Sequence, residues 1–301
     1  MKRIVAIGEC MGELSETGTA GLLAMGFAGD TLNTAWYLRH LLPKDWQIDY
    51  LTAVGTDAMS ARMLSFLDGE GIGTSYIRRI ADKTIGLYYI QLKDGERSFA
   101  YWRSDSAAKR LADDPLVLER ALAGARLAYV SGISFAILPE TSRNTLMEAL
   151  TVFRAGGGKV VFDPNLRPRL WETAEIMCQW ITRVAGISDL CLPSYDDEAT
   201  WFGDDGPDET AKRYRSAGAV QVVVKNGADP VIATSARGVE SFSIEAASSV
   251  VDTTAAGDSF NAGYLSAILS GRPLSDAISA GAALANRVIA QRGALVASAF
   301  G

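Results

Sequence analysis

Short apolar, β-branched runs punctuate the chain at Ile4–Ile7, Tyr50–Val54, Leu127–Ser131, Lys159–Phe162, Leu190–Leu192 and Val220–Val224. Most carry no charge inside the run, the pattern of strands covered on both faces in a parallel sheet. Between them the polar and apolar positions change to a helical period, over Ala58–Gly69, Glu140–Ala155, Ala174–Ala185 and Asp208–Ala217. Strands alternating with helices predict a doubly wound α/β sheet. Beyond Val250 the period stays helical, through Phe260–Ser270 and Leu274–Gln291.

One stretch departs from this rhythm. Ile85–Leu92 and Arg97–Arg103 flank Lys93-Asp94-Gly95-Glu96, and Asp-Gly suits a two-residue hairpin turn because both positions tolerate positive φ. That turn sets Lys93 against Glu96, Leu92 against Arg97 and Tyr88 against Tyr101. Alternation then puts Tyr88, Ile90, Phe99, Tyr101 and Arg103 on one face. The face fits either a sheet edge packed on the body of the protein or a lid closing over a ligand.

Composition narrows the classes of function. The 301 residues are 48% hydrophobic and 21% charged, enough to bury one large α/β core. A formal charge of −6 argues against a nucleic-acid binder with a broad basic face. Cys10, Cys178 and Cys191 are sparse and form no CxxC pair, which predicts reduced thiols and a cytoplasmic setting. The single histidine, His40, cannot build a multi-histidine metal site, and its place before Pro43 suits the end of a helix spanning Asn33–Leu42. The apolar run after Met1-Lys2-Arg3 stops at Gly8-Glu9, too short for a signal peptide, and no run reaches membrane-spanning length.

Chemistry concentrates in Asp252-Thr253-Thr254-Ala255-Ala256-Gly257-Asp258, with a helical pattern starting near Gly257. Small residues permit close backbone approach, and a helix start offers N–H groups to phosphate oxygens. Asp258 in the first turn suits either a residue that complements the helix dipole or a base that takes a proton from an attacking hydroxyl.

The segment Asp252–Tyr264 resembles the C-terminal signature of the ribokinase-like (PfkB) carbohydrate kinases. Gly26-Phe27-Ala28-Gly29-Asp30-Thr31-Leu32-Asn33-Thr34-Ala35 resembles their N-terminal sugar-binding motif, in a Gly-Asp-Thr-Leu-Asn form similar to that of the ketodeoxygluconate kinases. Further similarity runs through Gly8–Met11, Ser131–Ile133, Asp163–Trp171 and Val223–Asp229, so it covers essentially the whole chain. The resemblance implies a three-layer α/β/α sandwich with a mostly parallel central sheet and a small β-lid near residues 85–103. It also implies transfer of phosphate from ATP, with Mg²⁺, to the 6-hydroxyl of a keto-deoxy sugar acid.

Roles follow from the same resemblance. Asp258 is implied as the base, and the backbone of Ala255, Ala256 and Gly257 as the anion hole. Gly29, Asp30, Asn33, Tyr88, Tyr101, Arg103, Ile133 and Arg167 are implied on the sugar side. The hairpin register independently groups Tyr88, Tyr101 and Arg103, and arginine's planar fork suits a sugar carboxylate. Lys225, Gly227 and Asn286 match the nucleotide cleft. Where relatives carry Asn-x-x-Glu, this chain has Tyr195-Asp196-Asp197-Glu198, leaving Glu198 as an indirect Mg²⁺ site through water. Pro230 stands where a glycine is common. A homo-oligomer paired through the exposed hairpin is a further expectation. Within the same family the acceptor could instead be another sugar such as fructose or a related sugar acid, and two other classes remain open. A dinucleotide-dependent dehydrogenase lacks its GxGxxG, since Gly8-Glu9-Cys10-Met11-Gly12 does not supply it, and a sugar sensor would not need Asp258.

Overall fold

The computed structural model describes residues 2–19, 21–93 and 96–300. The chain opens with β1 (Lys2–Ile7), β2 (Met11–Glu16), β3 (Leu23–Ala28) and α1 (Asp30–Leu41). Then come β4 (Trp46–Leu51), β5 (Ala53–Val54), α2 (Ala58–Gly69), β6 (Arg78–Arg79) and the paired strands β7 (Leu87–Lys93) and β8 (Glu96–Trp102). The middle alternates through α3 (Pro115–Leu122), β9 (Leu127–Ser131), α4 (Gly132–Ala136), α5 (Glu140–Ala155), β10 (Lys159–Asp163), α6 (Ala174–Gly186) and β11 (Leu190–Cys191). It continues with α7 (Tyr195–Phe202), α8 (Pro207–Ala217) and β12 (Gln221–Val224). The strands β13 (Val231–Ser235) and β14 (Gly238–Phe242) precede α9 (Ala256–Leu269) and α10 (Leu274–Ile289).

Eight strands form the main sheet in the order β14-β13-β12-β11-β10-β9-β1-β4. The pairs from β4 to β12 are parallel, and β13 and β14 are added antiparallel. The uncharged runs are strands covered on both sides. Along β1, Ile4 and Ala6 join a core with α1, α9 and α10, whereas Val5 and Ile7 join a second core with α3, α5 and α6. Two separate cores on opposite faces of one sheet make the three layers expected from the alternation.

Several boundaries differ from the sequence pattern. The run Tyr50–Val54 divides at Thr52 into the end of β4 and the short β5, which pairs with β6. β4 also begins earlier than expected, because Asp49 within it is buried and paired with Arg3 at 3.0 Å. The helix expected to start near Gly257 starts at Ala256, with Asp258 in its first turn.

The register of β7 and β8 places Lys93 opposite Glu96, Leu92 opposite Arg97 and Tyr88 opposite Tyr101, as the sequence predicts. The Asp94-Gly95 turn itself lies outside the described residues. The hairpin is half of a four-stranded sheet ordered β3-β2-β7-β8, to which Met11–Ala28 contribute the other half. On it Tyr88, Phe99 and Tyr101 cluster with ring centroids 6.0–6.4 Å apart. Ile85, Tyr88 and Ile90 are buried against the body of the protein, while Phe99, Tyr101 and Trp102 remain exposed.

Candidate active site

The parallel strands end on one side of the sheet, where open α/β folds receive ligands. β1 ends before Glu9, β9 at Ser131, β10 at Asp163, and β11 and β12 lead into Ser194 and Lys225. Two cavities meet there. One, of about 440 Å³, is walled by Val231, Ile244, Val250, Phe260, Ala282, Ala285 and Ile289, with Asp196, Lys225, Asn226 and Asn286 among its polar groups. The other, of about 300 Å³, is lined by polar and apolar groups in about equal measure and lies beneath Tyr88, Phe99 and Tyr101. Ser194, Lys225, Thr253, Ala256 and Gly257 line both.

The junction is built on the first turn of α9. Ala255 takes a left-handed conformation at φ 59° and caps the helix without a side-chain hydrogen bond. Asp252 shapes the approach, accepting from Thr254 N at 3.1 Å, Thr254 Oγ1 at 2.7 Å and Gly293 N at 2.7 Å. Of the three expected anion-hole amides, that of Ala256 already donates to the Thr253 carbonyl at 3.2 Å. Helix starts leave N–H groups without intrahelical acceptors, and this one opens onto both cavities.

Asp258 follows one residue beyond Gly257. Its Oδ2 accepts from Asn33 Nδ2 at 2.8 Å. Burial pushes its carboxyl up to about 8; the Asp30 carboxylate adds to the rise, as does Asp163, while the Asn33 hydrogen bond and Lys225 oppose it. The carboxyl meets solvent through the cavity it lines. Asp30 is raised too, by burial first, and Asn165 donates to its Oδ2 at 2.9 Å. Gly29 precedes α1 where a Cβ would fall 2.1 Å from the Glu9 carbonyl, so no larger residue fits this close crossing.

Lys225 is buried at the meeting point. Its Nζ lies 3.3 Å from Asp163 Oδ1 and 3.2 Å from Asn261 Oδ1, and a Cβ built on Gly257 would sit 3.3 Å from it. Asn261 holds the other Asp163 oxygen at 2.8 Å and Tyr129 OH at 2.9 Å. Each charge in this buried network is thereby paired or hydrogen-bonded. Asn286 donates to the Glu245 carbonyl at 2.8 Å, pinning the segment that walls the larger cavity.

The structure thus gathers Gly29, Asp30, Asn33, Tyr88, Tyr101, Ile133, Arg167, Ala255 and Asp258 at one cavity and Gly227 and Asn286 at the other. Lys225, Ala256 and Gly257 stand between them. Two expected residues lie elsewhere. Arg103 lines neither cavity. β8 ends at Trp102, so strand alternation no longer aims the next side chain, and its guanidinium pairs with Glu9, which is 2% exposed and also held by Ser106. Glu198 is fully buried beneath α7, its oxygens taken by Tyr214 at 2.8 Å and Arg213 at 2.7 Å. Burial raises its carboxyl to about 7 against the pull of Arg213. It anchors α7 on α8 and lines neither cavity, so nothing here brings it to the expected indirect Mg²⁺ site. Among the described residues no group of three or more His, Cys, Asp or Glu is arranged to hold a metal ion.

Sequence reasoning left out Asp163, Asn165, Asp197 and Phe99 as site residues, though all line the smaller cavity. Asn165 had a signal: a short polar residue after Asp-Pro that adopts φ 36°, conformationally accessible to asparagine.

A large sheet with both faces covered, a helix start shared by an apolar cavity and a mixed one, and an aspartate beside that start define a sugar-kinase-like protein of ribokinase-like fold. The sequence profile described as pfkB family carbohydrate kinase matches residues 1–298, and the chain belongs to that family. It is 43% identical over 303 aligned positions to the 2-dehydro-3-deoxygluconokinase of Dickeya dadantii, covering 98% of this chain and 97% of that one. To the 2-dehydro-3-deoxygluconokinase of Escherichia coli K12 it is 42% identical, with the same coverage. The crystal structure of a PfkB protein from Polaromonas superposes with a TM-score of 0.84 at 29% identity, covering 96% of each chain.

Proposed function

We propose that this protein transfers the γ-phosphate of ATP to the 6-hydroxyl of 2-keto-3-deoxygluconate, giving 2-keto-3-deoxy-6-phosphogluconate. The observation that carries this reading is the position of Asp258, beside a helix start shared by two cavities and tied to Asn33 of the Gly29–Asn33 segment. Full-length relatives named 2-dehydro-3-deoxygluconokinase support the acceptor.

The apolar larger cavity takes the nucleotide base and leads its phosphates to Gly257 at the start of α9 and to Lys225. The acceptor lies in the smaller cavity, its hydroxyls toward Asp30, Asn33 and Asn165 and its carboxylate toward Arg167. Asp258 accepts the proton of the attacking 6-hydroxyl. The start of α9 and Lys225 stabilise the charge that spreads over the transferring group. Mg²⁺ bound to the phosphates would supply further charge neutralisation; Asp163 and Asp196, at the walls of the two cavities, fit a metal that reaches the protein through waters and phosphate oxygens. The four-stranded sheet, bringing Tyr88 and Tyr101 over the acceptor, acts as the lid that excludes water.

The test is a phosphoryl-transfer assay with ATP against a panel of sugar acids and neutral hexoses, with ³¹P NMR locating the new ester. A preference for 2-keto-3-deoxygluconate, phosphorylated at C6, is expected. Preference for a neutral hexose would remove Arg167 as the carboxylate partner.

A further inference from the structure

Arg167 and Asp197 face one another in the acceptor cavity, and Asp197 has no part in the chemistry above. Arg167 Nη1 donates to the Leu166 carbonyl at 2.6 Å and lies 3.4 Å from Asp197 Oδ2. Asp197 belongs to the first turn of α7, a position where a carboxylate commonly does no more than complement the helix dipole. Here it is turned into the cavity wall. Burial raises its carboxyl; Arg167 opposes the rise most, Lys225 also opposes it, and Asp163 adds to it. An arginine carries five donors in a rigid fork. These two contacts use one nitrogen, so a further edge remains for a carboxylate.

We infer that Asp197 is a positioning residue that fixes the Arg167 guanidinium, so that its open edge receives the acceptor's carboxylate. This rests on the reading of Arg167 as the carboxylate partner. A half-exposed arginine without such a tether samples many rotamers, and the acceptor would have to order it on binding. A neutral acceptor presents nothing to that edge and gains nothing from the tether.

The sign of the effect separates positioning from simple charge. The cavity already holds Asp30, Asp163 and Asp258, so removing the Asp197 charge should by itself favour an anionic acceptor. Positioning requires the opposite. Steady-state kinetics of Asp197→Ala, Asp197→Asn, Arg167→Ala and the double variant Asp197→Ala/Arg167→Ala, each checked for folding by thermal unfolding, test this. Asp197→Ala should raise the KM for 2-keto-3-deoxygluconate about tenfold with kcat and the KM for ATP little changed. Asp197→Asn, which keeps an acceptor oxygen, should raise it less, and serves if the alanine variant does not fold. In the Arg167→Ala background Asp197→Ala should add nothing further.

A fall in acceptor KM, no change, or an equal rise in the Arg167→Ala background overturns the inference. A rise confined to the KM for ATP or to the Mg²⁺ requirement also overturns it, placing Asp197 with the nucleotide. If Arg167→Ala leaves the acceptor KM unchanged, the reading of Arg167 fails first and this inference with it.

Discussion

Asn33 Nδ2 donates to Asp258 Oδ2 at 2.8 Å across 225 positions of sequence. The contact joins the first turn of α1 to the first turn of α9, and Thr34 reinforces it through the Asp258 carbonyl at 3.2 Å. The acceptor-binding segment and the proposed base are thereby one rigid unit.

Replacing Asp258 with Asn keeps the shape of this unit but removes the proton acceptor. Turnover should fall about 10²–10⁴-fold, the usual contribution of a positioned general base. Calorimetric binding of ATP and the thermal unfolding temperature should stay close to those of the parent protein. Near-normal turnover would remove Asp258 from the mechanism.

The raised carboxyl of Asp258 predicts a pH dependence. Only the ionised form accepts a proton, so kcat/KM should climb with pH to a plateau above about 8, the value for the free site. For stability the sign is reversed. The folded value lies above the unfolded one, so the contribution is fully present below about 4 and is lost as pH rises through about 8. Denaturant titrations should show Asp258→Asn gaining on the parent across that window.

Asn33→Ala removes a hydrogen bond that favours the ionised form of Asp258. The acidic limb of the kcat/KM profile should move to higher pH, with a rise in acceptor KM. An unmoved limb would mean that Asn33 does not act through Asp258.

Lys225→Met leaves Asp163 buried without its ion-pair partner. Breaking such a pair costs on the order of 3 kcal/mol, read from denaturant unfolding. Asp163→Asn as a second change should restore part of the stability. Phosphoryl transfer should not return, because the cation beside Gly257 is still missing.

Arg213→Met tests the place of Glu198. Glu198 and Asp204 would both lose their cationic partner, and Glu198 is fully buried. A loss of about 3 kcal/mol is expected in chemical unfolding. Unchanged stability would contradict the closed cluster.

The sequence by itself determined the layers and much of the site. Uncharged runs such as Val160–Phe162 must be covered on both faces, and local chemistry pairs Tyr88 with Tyr101. Small residues before Asp258 announced a close backbone approach. Only tertiary structure decided what buried charges do. Arg103 follows the alternation of β8 on paper, yet the strand ends one residue earlier and buried Glu9 requires a cation. Glu198 matches the glutamate of the relatives' Asn-x-x-Glu, and its side of α7 packs on Arg213 and Tyr214 of α8. Asp197, its neighbour, turns instead into the cavity beside Arg167. Spacing along a helix gives each residue a face, but what covers that face depends on segments distant in the chain, and for a charged group that neighbour sets the role.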